Sequence, residues 1–296
     1  MAKISVFGGG AWGSALHFAF SKKNPCFIIS RKNLSLDSQI SQNEAQNSDF
    51  FIVAISSQSL ESWLKTNPLP QDSKILIATK GVYKGLFVSE IVKKYYPQAK
   101  LSFLAGPSFA KEVAKELPCA LNVHSESLEV AKEWLPLFPD FIKPYASLDV
   151  LGGEIGGAYK NVIAIASGIC EGMNLGHNAR ASLIARGLVE ITRFGEFFGA
   201  KSETFIGLSG AGDLFLTANS TLSRNFRVGI ALAQGKSLDC ALSELGEVAE
   251  GVPTSKEIYA LAQKNGIYTP IAKEVALVMD GKNPQKSLLD LMRTQN

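Results

Sequence analysis

The sequence predicts an α/β protein in which a doubly wound parallel sheet is followed by an all-helical C-terminal domain. Two observations support this fold class. Up to about residue 147, short apolar runs alternate with helical patterns. From residue 148 onward the chain is rich in Ala, Gly, Leu and Glu, has a helical period and nearly lacks β-like runs. We therefore expect two domains, 1–147 and 148–296, the second with five to seven helices.

Six short apolar runs are the predicted strands of the first domain. Several lack a polar alternation, as is typical of parallel strands covered on both faces. The runs are 3–7, 27–30, 50–55, 74–78, 101–104 and 120–123. Helical patterns at 12–22 and 87–96 lie between strands, and 144–147 is the predicted connection to the second domain.

The composition narrows the class of protein. The chain has 296 residues, 46% of them apolar and 19% charged, which is too apolar for a disordered chain. The net charge of +3 gives no sequence-wide signal for nucleic-acid binding. Four dispersed cysteines, without a CxxC pair, fit reduced and mostly buried thiols. No apolar run is long enough to span a membrane, and the first strand leaves no room for a signal peptide, so we expect a cytoplasmic protein.

A glycine-rich turn directly follows the first predicted strand and opens a helix. Gly8, Gly10 and Gly13 give the pattern GxGxxG in the context that a Rossmann-type dinucleotide site needs. The first glycine makes the turn, the second lets the backbone approach a pyrophosphate, and the third permits close helix–strand packing. A turn that binds nothing is the less favoured interpretation.

The end of the second predicted strand bears on the choice of coenzyme. An NAD-specific site places an acid there, but this chain has Arg31 and Lys32, and the first acid is Asp37. A guanidinium can pair with a 2′-phosphate. We therefore expect NADP(H) to be accepted and leave NAD(H) open as a second coenzyme. The alternative is a solvated arginine in a loop.

A lone lysine interrupts a row of small residues on a predicted helix. On one side of 151–168, Lys160 is surrounded by glycines, Ala164 and Ser167. Several glycines in a helix cost about 1 kcal/mol each relative to Ala, so either another helix or a ligand should approach closely there. Lys160 would then lie in a recess, where burial favours proton exchange near neutral pH. A lysine that snorkels to solvent is an equally weighted alternative.

Seven motifs in order carry a family resemblance. They are GGGAWG at 8–13, TKG at 79–81, AGPSFA at 105–110, GAYKNVIAIASG at 157–168, GLSGAGDLFLT at 207–217, SRNFRVG at 223–229 and VAEGVPT at 248–254. Together they resemble the bacterial-type NAD(P)-dependent sn-glycerol-3-phosphate dehydrogenases. The similarity runs from residue 3 to about residue 280.

The resemblance implies a role for individual residues. Lys160 matches the proton acceptor of the family and is also a substrate contact. The implied coenzyme contacts are Gly8, Gly10, Ala11, Trp12, Gly13, Arg31, Lys80, Ala110, Arg224, Val248 and Glu250. The remaining implied substrate contacts are Lys80, Gly106, Ser108, Asp213, Ser223, Arg224 and Asn225. Lys80 and Arg224 thus belong to both sets.

Two departures from the family pattern stand out. The segment from Arg31 to Asp49 is shorter than is usual, which leaves the preference between NAD and NADP open. His177 stands where the family usually has an acid. With no acid–histidine cluster, we interpret His17, His124 and His177 as structural or surface residues and expect no metal.

The function that follows is interconversion of sn-glycerol 3-phosphate and dihydroxyacetone phosphate, supplying phospholipid synthesis. The partner is thus a small molecule; neither nucleic acid nor a membrane span is expected, and a homodimer stays open. One alternative is a related two-domain β-hydroxyacid or ketoacid dehydrogenase, which would lack the SRN and GAGD motifs. A less favoured one is a catalytically silent NADP(H)-binding sensor, which would lack Lys160 or Arg224.

Overall fold

The computed structural model describes residues 1–246 and 248–293. Its contacts divide the chain into two compact units, 1–80 with 86–154 and 81–85 with 155–296. The division falls at 154/155, a few residues after the predicted domain boundary at 147/148, because the first turn of a long helix packs within the first unit: Gly153 lies against the ring of His124. The predicted boundary itself stays a prediction.

The first unit alternates strands and helices. Its elements are β1 (Ile4–Phe7), α1 (Ala11–Ser21), β2 (Cys26–Ile29), α2 (Gln42–Ala45), β3 (Phe50–Val53), α3 (Ser57–Thr66), β4 (Lys74–Ile77), β6 (Leu86–Phe87), α4 (Val88–Tyr95), β7 (Lys100–Ala105), α5 (Ala110–Val113), β8 (Cys119–His124), α6 (Leu128–Trp134) and β9 (Ile142–Ser147). The two-residue strand β5 (Val82–Tyr83) falls in the second unit. All six predicted strands are confirmed, with ends that differ by up to two residues.

The seven-stranded sheet has the order β2-β1-β3-β4-β7-β8-β9. The neighbouring strands β2, β1, β3, β4 and β7 are all parallel to one another. In contrast, β8 is antiparallel to β7, and β9 is parallel to β8. The sheet, predicted as parallel, is therefore mixed at this end. The predicted connection at 144–147 is wrong, because it belongs to β9. Pro144 is tolerated in β9 because an edge strand leaves one side of its backbone unpaired.

The short segment between β2 and β3 adds a single bridge to the sheet. Gln39 pairs in parallel with Ile28, on the open side of β2. Counted as a residual strand, this bridge reproduces the 3-2-1-4-5-6 order of doubly wound dinucleotide-binding sheets. The short segment therefore keeps the position of the third strand while losing nearly all of its length.

The first unit has an aromatic and aliphatic core. Trp134 is fully buried, with its ring centroid 4.8 Å from that of Phe50 and 6.5 Å from that of Phe20. Of the four cysteines, all free, Cys26 and Cys170 are buried, Cys119 is half-buried and Cys240 is exposed. The prediction of reduced, mostly buried thiols therefore agrees with the structure, with Cys240 as the exposed exception.

The second unit is helical. Its helices are α7 (Val150–Gly172, which begins in the first unit), α8 (Gly176–Phe197), α9 (Ser202–Ile206), α10 (Asp213–Ala218), α11 (Arg224–Ala233), α12 (Leu238–Leu245), α13 (Gly251–Lys264), α14 (Pro270–Met279) and α15 (Pro284–Arg293). Within the described ranges these are nine helices, so the predicted five to seven were too few. One of the additional breaks is the π-helical turn Leu208–Gly212, which separates the short helices α9 and α10. None of the described helices has the length and apolar character needed to cross a bilayer.

Candidate active site

The parallel strands of the first unit end at one edge of the sheet, and several predicted site residues follow them there. Gly8 follows β1, Arg31 lies two residues after β2, Lys80 three residues after β4, and Gly106 directly after β7. Because β2, β1, β3, β4 and β7 are parallel neighbours, their carboxyl ends form a continuous edge. Ligands of open α/β sheets bind at this edge. The first unit therefore brings these residues together as a doubly wound site requires.

The glycine turn after β1 has the geometry predicted for a pyrophosphate site. Gly8 has a φ of +122°, which disfavours any side chain. A Cβ at Gly13 would come within 2.9 Å of the carbonyl carbon of Gly8, so this glycine permits the close contact of α1 with the turn. A Cβ at Gly10, in contrast, would meet no protein atom within 4 Å. Packing does not require a glycine at position 10, whereas a closely approaching phosphate does.

The start of α1 fits an anionic group. Its N-cap is Gly10, which has no side chain to accept hydrogen bonds from the first N–H groups of the helix. Ala11, the next residue, is exposed. Uncapped N–H groups and the positive end of the helix dipole favour phosphate. The residues present therefore fit a dinucleotide at this turn.

Other predicted coenzyme residues surround or support the turn. Arg31 is exposed on the loop after β2. Trp12 and Ala110 are partly buried against the core of the first unit, so both contribute to packing. Their predicted contacts with the coenzyme stay predictions.

The loops after β4 and β7 are each held by a side-chain hydrogen bond. Thr79, directly before Lys80, donates from Oγ1 to the carbonyl oxygen of Ile55 over 2.6 Å. Gly106 has a φ of +128°, and a Cβ there would lie 3.1 Å from the Leu121 side chain. Ser108 Oγ donates to the Gly106 carbonyl oxygen over 3.2 Å. Each loop thus has a defined conformation at the carboxyl edge of the sheet.

The second unit contains a buried ion pair at the predicted proton acceptor. Lys160 Nζ, on α7, donates to Oδ1 of Asp213, the first residue of α10. The two side chains are only 11% and 1% exposed. Thr217, one turn further along α10, has its Oγ1 3.5 Å from the same carboxylate oxygen. The recess predicted for Lys160 is therefore confirmed, and its partner is an acid.

The small residues around Lys160 allow close backbone contacts. A Cβ at Gly156 would lie 3.1 Å from the carbonyl carbon of Ser209, in the π-helical turn that leads into Asp213. Further along α7, a Cβ at Gly168 would lie 2.9 Å from the carbonyl carbon of Phe226 on α11. Close approach of other backbone segments therefore explains glycines at these positions, and it places Asp213 against Lys160.

The predicted substrate residues Ser223, Arg224 and Asn225 form the start of α11. Ser223 is the N-cap and accepts from the Phe226 N–H over 3.3 Å. Asn225 is buried; its Nδ2 donates to Asn161 Oδ1 over 2.9 Å, and its Oδ1 accepts from the backbone N–H of residue 251 over 3.0 Å. Arg224, which lies between these two residues in the sequence, is half-buried.

The last two predicted coenzyme contacts lie directly before α13. Val248 is 63% exposed, and Glu250 is the N-cap of the helix. The hydrogen bond from the backbone N–H of residue 251 to Asn225 Oδ1 connects this segment to α11, so Glu250 and Arg224 lie on connected elements of the second unit.

Two functional candidates were missed from the sequence, Asn161 and Thr217. Both were inside quoted motifs, and each lies beside an assigned residue: Asn161 follows Lys160, and Thr217 is one helical turn after Asp213. That spacing was the available signal, but only the structure shows the hydrogen bonds to Asn225 and Asp213.

The three histidines are structural or surface residues, as predicted. His17 is buried, with Nε2 3.3 Å from the Cys26 carbonyl oxygen, His124 is buried and His177 is exposed. Over residues 1–246 and 248–293, no group of three or more His, Cys, Asp or Glu side chains could hold a metal ion.

Comparison with known proteins adds independent information. Residues 27–131 match the model of the NAD-dependent glycerol-3-phosphate dehydrogenase N-terminus, and residues 149–290 match that of the C-terminus. A relative from Wolinella succinogenes, named as an NAD(P)+ glycerol-3-phosphate dehydrogenase, is 55% identical over 291 residues and 98% of each chain. The chain belongs to the NAD-dependent glycerol-3-phosphate dehydrogenase family. The family resemblance seen in the sequence is thereby confirmed.

Solved structures agree with the family assignment. Glycerol-3-phosphate dehydrogenase from Coxiella burnetii superposes with a TM-score of 0.92 at 29% identity, covering 99% of both chains. The predicted fold class is thus confirmed as that of the family. A D-mandelate dehydrogenase in complex with NADH is also similar, with a TM-score of 0.64 over 96% of this chain and 99% of the other, but at 13% identity it shows the fold alone.

Proposed function

We propose that this family member interconverts sn-glycerol 3-phosphate and dihydroxyacetone phosphate with NADP(H) or NAD(H), supplying the precursor of glycerophospholipids. The observation that carries the proposal is the buried Lys160–Asp213 pair. It places a group that can transfer a proton inside the part of the chain that matches the C-terminal family model. A silent coenzyme-binding sensor has no need for such a pair.

The coenzyme is held by the first unit's turn and its neighbours. Backbone N–H groups at the start of α1 bind the pyrophosphate, Gly10 leaves room for it, and Arg31 pairs with a 2′-phosphate. Ala110, Val248 and Glu250 complete the proposed set. When bound, the nicotinamide accepts or supplies the hydride.

Lys160 moves the proton. During ketone reduction its ammonium donates a proton from Nζ to the carbonyl oxygen, and during alcohol oxidation the neutral amine removes the hydroxyl proton. Asp213 stabilises the ammonium form by charge and hydrogen bonding. Asp213 is therefore a positioning residue for Lys160 as well as a proposed acceptor for substrate hydroxyls.

The substrate phosphate is bound by a guanidinium and neutral donors. Arg224 supplies charge at the beginning of α11, where the helix dipole also favours an anion. Ser223 and Asn225 flank it, and Lys80, Gly106 and Ser108 bind the substrate from the loops after β4 and β7. Orientation by this remote phosphate accelerates the chemical step.

Coenzyme oxidation with different substrates tests the proposal. The purified protein is mixed with NADPH or NADH and either dihydroxyacetone phosphate or a panel of ketoacids, and absorbance at the nicotinamide band is followed. We expect the coenzyme to be oxidised in the presence of dihydroxyacetone phosphate and not in the presence of the ketoacids. Preferential turnover of a ketoacid would favour the related two-domain dehydrogenase instead. A cytoplasmic location is a further prediction. Whether the protein forms a homodimer stays open, and sedimentation analysis measures it.

A further inference from the structure

One glutamine side chain holds the loop that carries Arg31. Gln39 Nε2 donates to the carbonyl oxygens of Ser30 and Lys32, over 3.2 and 2.9 Å, and its Oε1 accepts from the Leu34 N–H over 2.8 Å. The two carbonyl groups are those immediately before and after Arg31. A single amide therefore fixes the backbone on both sides of the arginine.

Gln39 is itself held by the sheet. The Ile28 N–H donates to the Ser38 carbonyl oxygen over 3.0 Å, and the Ile40 N–H donates to the Ile28 carbonyl oxygen over 3.1 Å. The backbone of Gln39 is thus joined to the edge strand β2 at the residual third-strand position. Because the Gln39 side chain is hydrogen-bonded to residues 30, 32 and 34, it fixes this loop relative to the sheet.

The loop packs directly on the glycine turn. A Cβ at Gly9 would lie 2.7 Å from Ser30 Cβ and 3.2 Å from Leu34 Cδ1, so these side chains occupy the space beside the turn. Ser30 Oγ also accepts from the Lys32 N–H over 3.0 Å. The backbone of Arg31 therefore has a defined distance from the turn that receives the pyrophosphate.

We propose that Gln39 is a positioning residue for coenzyme specificity: by fixing residues 30–34 against the glycine turn, it presents Arg31 to the 2′-phosphate of NADP(H). The inference rests on the proposed function of the turn and of Arg31. A loop that is ordered before binding loses less conformational entropy when the ligand arrives. NADH has no 2′-phosphate and gains little from this order.

The test is a coenzyme comparison on Gln39→Leu, which keeps the side-chain size but removes all three hydrogen bonds. Titration by fluorescence should show a Kd for NADPH raised roughly 3- to 10-fold, the worth of about one net hydrogen bond, with the Kd for NADH nearly unchanged. Gln46→Leu is the matched control, because Gln46 donates one hydrogen bond to the Pro68 carbonyl oxygen, away from the loop. It should leave the ratio of the two Kd values unchanged.

A double-mutant cycle shows whether Gln39 acts through Arg31. In an Arg31→Ala background, Gln39→Leu should have no further effect on NADPH. Gln39→Glu is a second variant for the case in which the leucine variant misfolds. It keeps the acceptor for Leu34 but turns a carboxylate oxygen toward two carbonyl oxygens, so it should also weaken NADPH selectively.

Other results overturn the inference in distinguishable ways. Equal losses of NADPH and NADH, or the same loss with and without Arg31, would show that Gln39 only stabilises the fold. If Arg31→Ala leaves the preference between coenzymes unchanged, Arg31 is not the specificity residue and the inference fails with it. In both cases turnover of dihydroxyacetone phosphate with NADH would persist and the proposed function would stand. Binding of neither coenzyme to the unmutated protein would refute both.

Discussion

Lys160 and Asp213 depend on each other because both are buried. Asp213 is 1% exposed at its side chain, and Lys160 is 11% exposed. Breaking a buried ion pair by removing one partner typically costs about 3–5 kcal/mol, because the other charge is left without compensation. A variant of Lys160 therefore affects both chemistry and stability, and an experiment must separate the two effects.

The first prediction concerns Lys160→Met, which keeps the apolar stem of the side chain but removes the amino group that transfers the proton. We expect kcat to fall roughly 10²- to 10⁴-fold through loss of acid–base catalysis. The Kd for NADPH should stay nearly unchanged, because the glycine turn is intact. The free energy of unfolding should drop, because Asp213 is left buried and unpaired. Steady-state kinetics, coenzyme titration and chemical denaturation on the same variant check these outcomes.

Two further variants separate chemistry from stability. Lys160→Met combined with Asp213→Asn should recover stability without recovering kcat. Lys282→Met removes another paired lysine of the second unit, whose Nζ lies 2.5 Å from Glu274 and 2.7 Å from Asp290, and should leave kcat unchanged. Near-normal turnover in Lys160→Met would end its assignment as the proton-transfer residue.

The second prediction concerns Arg224. Its neighbours have structural functions, since Ser223 caps α11 and Asn225 bridges Asn161 and α13. Arg224→Ala should therefore raise the KM for dihydroxyacetone phosphate roughly 10- to 100-fold, as expected for a charge-assisted contact, with a smaller change in kcat. Initial rates over a range of substrate concentrations measure both. An unchanged KM would place the phosphate site elsewhere.

The third prediction belongs to the turn between β1 and α1. Gly10→Ala introduces a Cβ that meets no protein atom within 4 Å, so stability should be nearly unchanged while coenzyme binding weakens. Gly13→Ala introduces a Cβ against the carbonyl group of Gly8, so the overpacked turn should lose about 1–3 kcal/mol of stability. Thermal melting and coenzyme titration of both variants show the contrast. Strong coenzyme binding by Gly10→Ala would exclude a pyrophosphate at this turn.

The elements predicted best are those whose information is local. Buried parallel strands appear as short apolar runs, and β1 to β4 were predicted on that basis. β9 was missed because its pattern is polar and includes Pro144, which only an edge position tolerates. The antiparallel direction of β8 was missed because the composition of a strand does not encode which strand it pairs with or in which direction.

The same distinction applies to the candidate site. GxGxxG and the small residues around Lys160 are local patterns, and both predicted the correct environment. Asp213 lies 53 residues from Lys160, and Asn225 lies 64 residues from Asn161, so their hydrogen bonds depend on tertiary packing. The family resemblance supplied Asp213 and Asn225 as site residues, but not these partners. The side-chain hydrogen bonds of Gln39 join residues that are close in sequence, but no residue pattern signals them, so they too required the structure.

Buried titratable groups in different parts of the molecule make the stability of the folded protein depend on pH in opposite directions. Burial raises the pKa of the Glu154 carboxyl to about 7 and lowers the pKa of His124 to about 4. Burial also raises the pKa of Glu190, which accepts hydrogen bonds from Tyr159 and from the first turn of α14. At intermediate pH, Glu154 therefore binds a proton in the folded protein and releases it in the unfolded chain. His124 binds a proton in the unfolded chain and releases it in the folded protein.

The sign for His124 follows from its lowered pKa. The unfolded histidine takes up a proton near pH 6.5, while the folded one does so only near pH 4. Stability contributed by His124 is therefore lost as the pH falls from about 6.5 to about 4. His124→Gln, which does not titrate, should remove this acid-dependent loss from denaturation curves.

The last prediction concerns Glu154, whose carboxylate accepts from the Ser89 N–H over 2.7 Å and from Ser89 Oγ over 2.6 Å. Because its pKa rises from 4.5 to about 7 on folding, the wild type should lose stability as the pH increases through this window. The loss is on the order of 3 kcal/mol from the linkage of pKa to free energy. Glu154→Gln should therefore gain stability relative to wild type between pH 4.5 and 7. Glu129→Gln is the control of opposite sign, because the hydrogen bond from Ser127 lowers the pKa of exposed Glu129. Urea denaturation at several pH values measures the difference, and a Glu154→Gln curve parallel to that of wild type would show that this carboxyl does not titrate on folding.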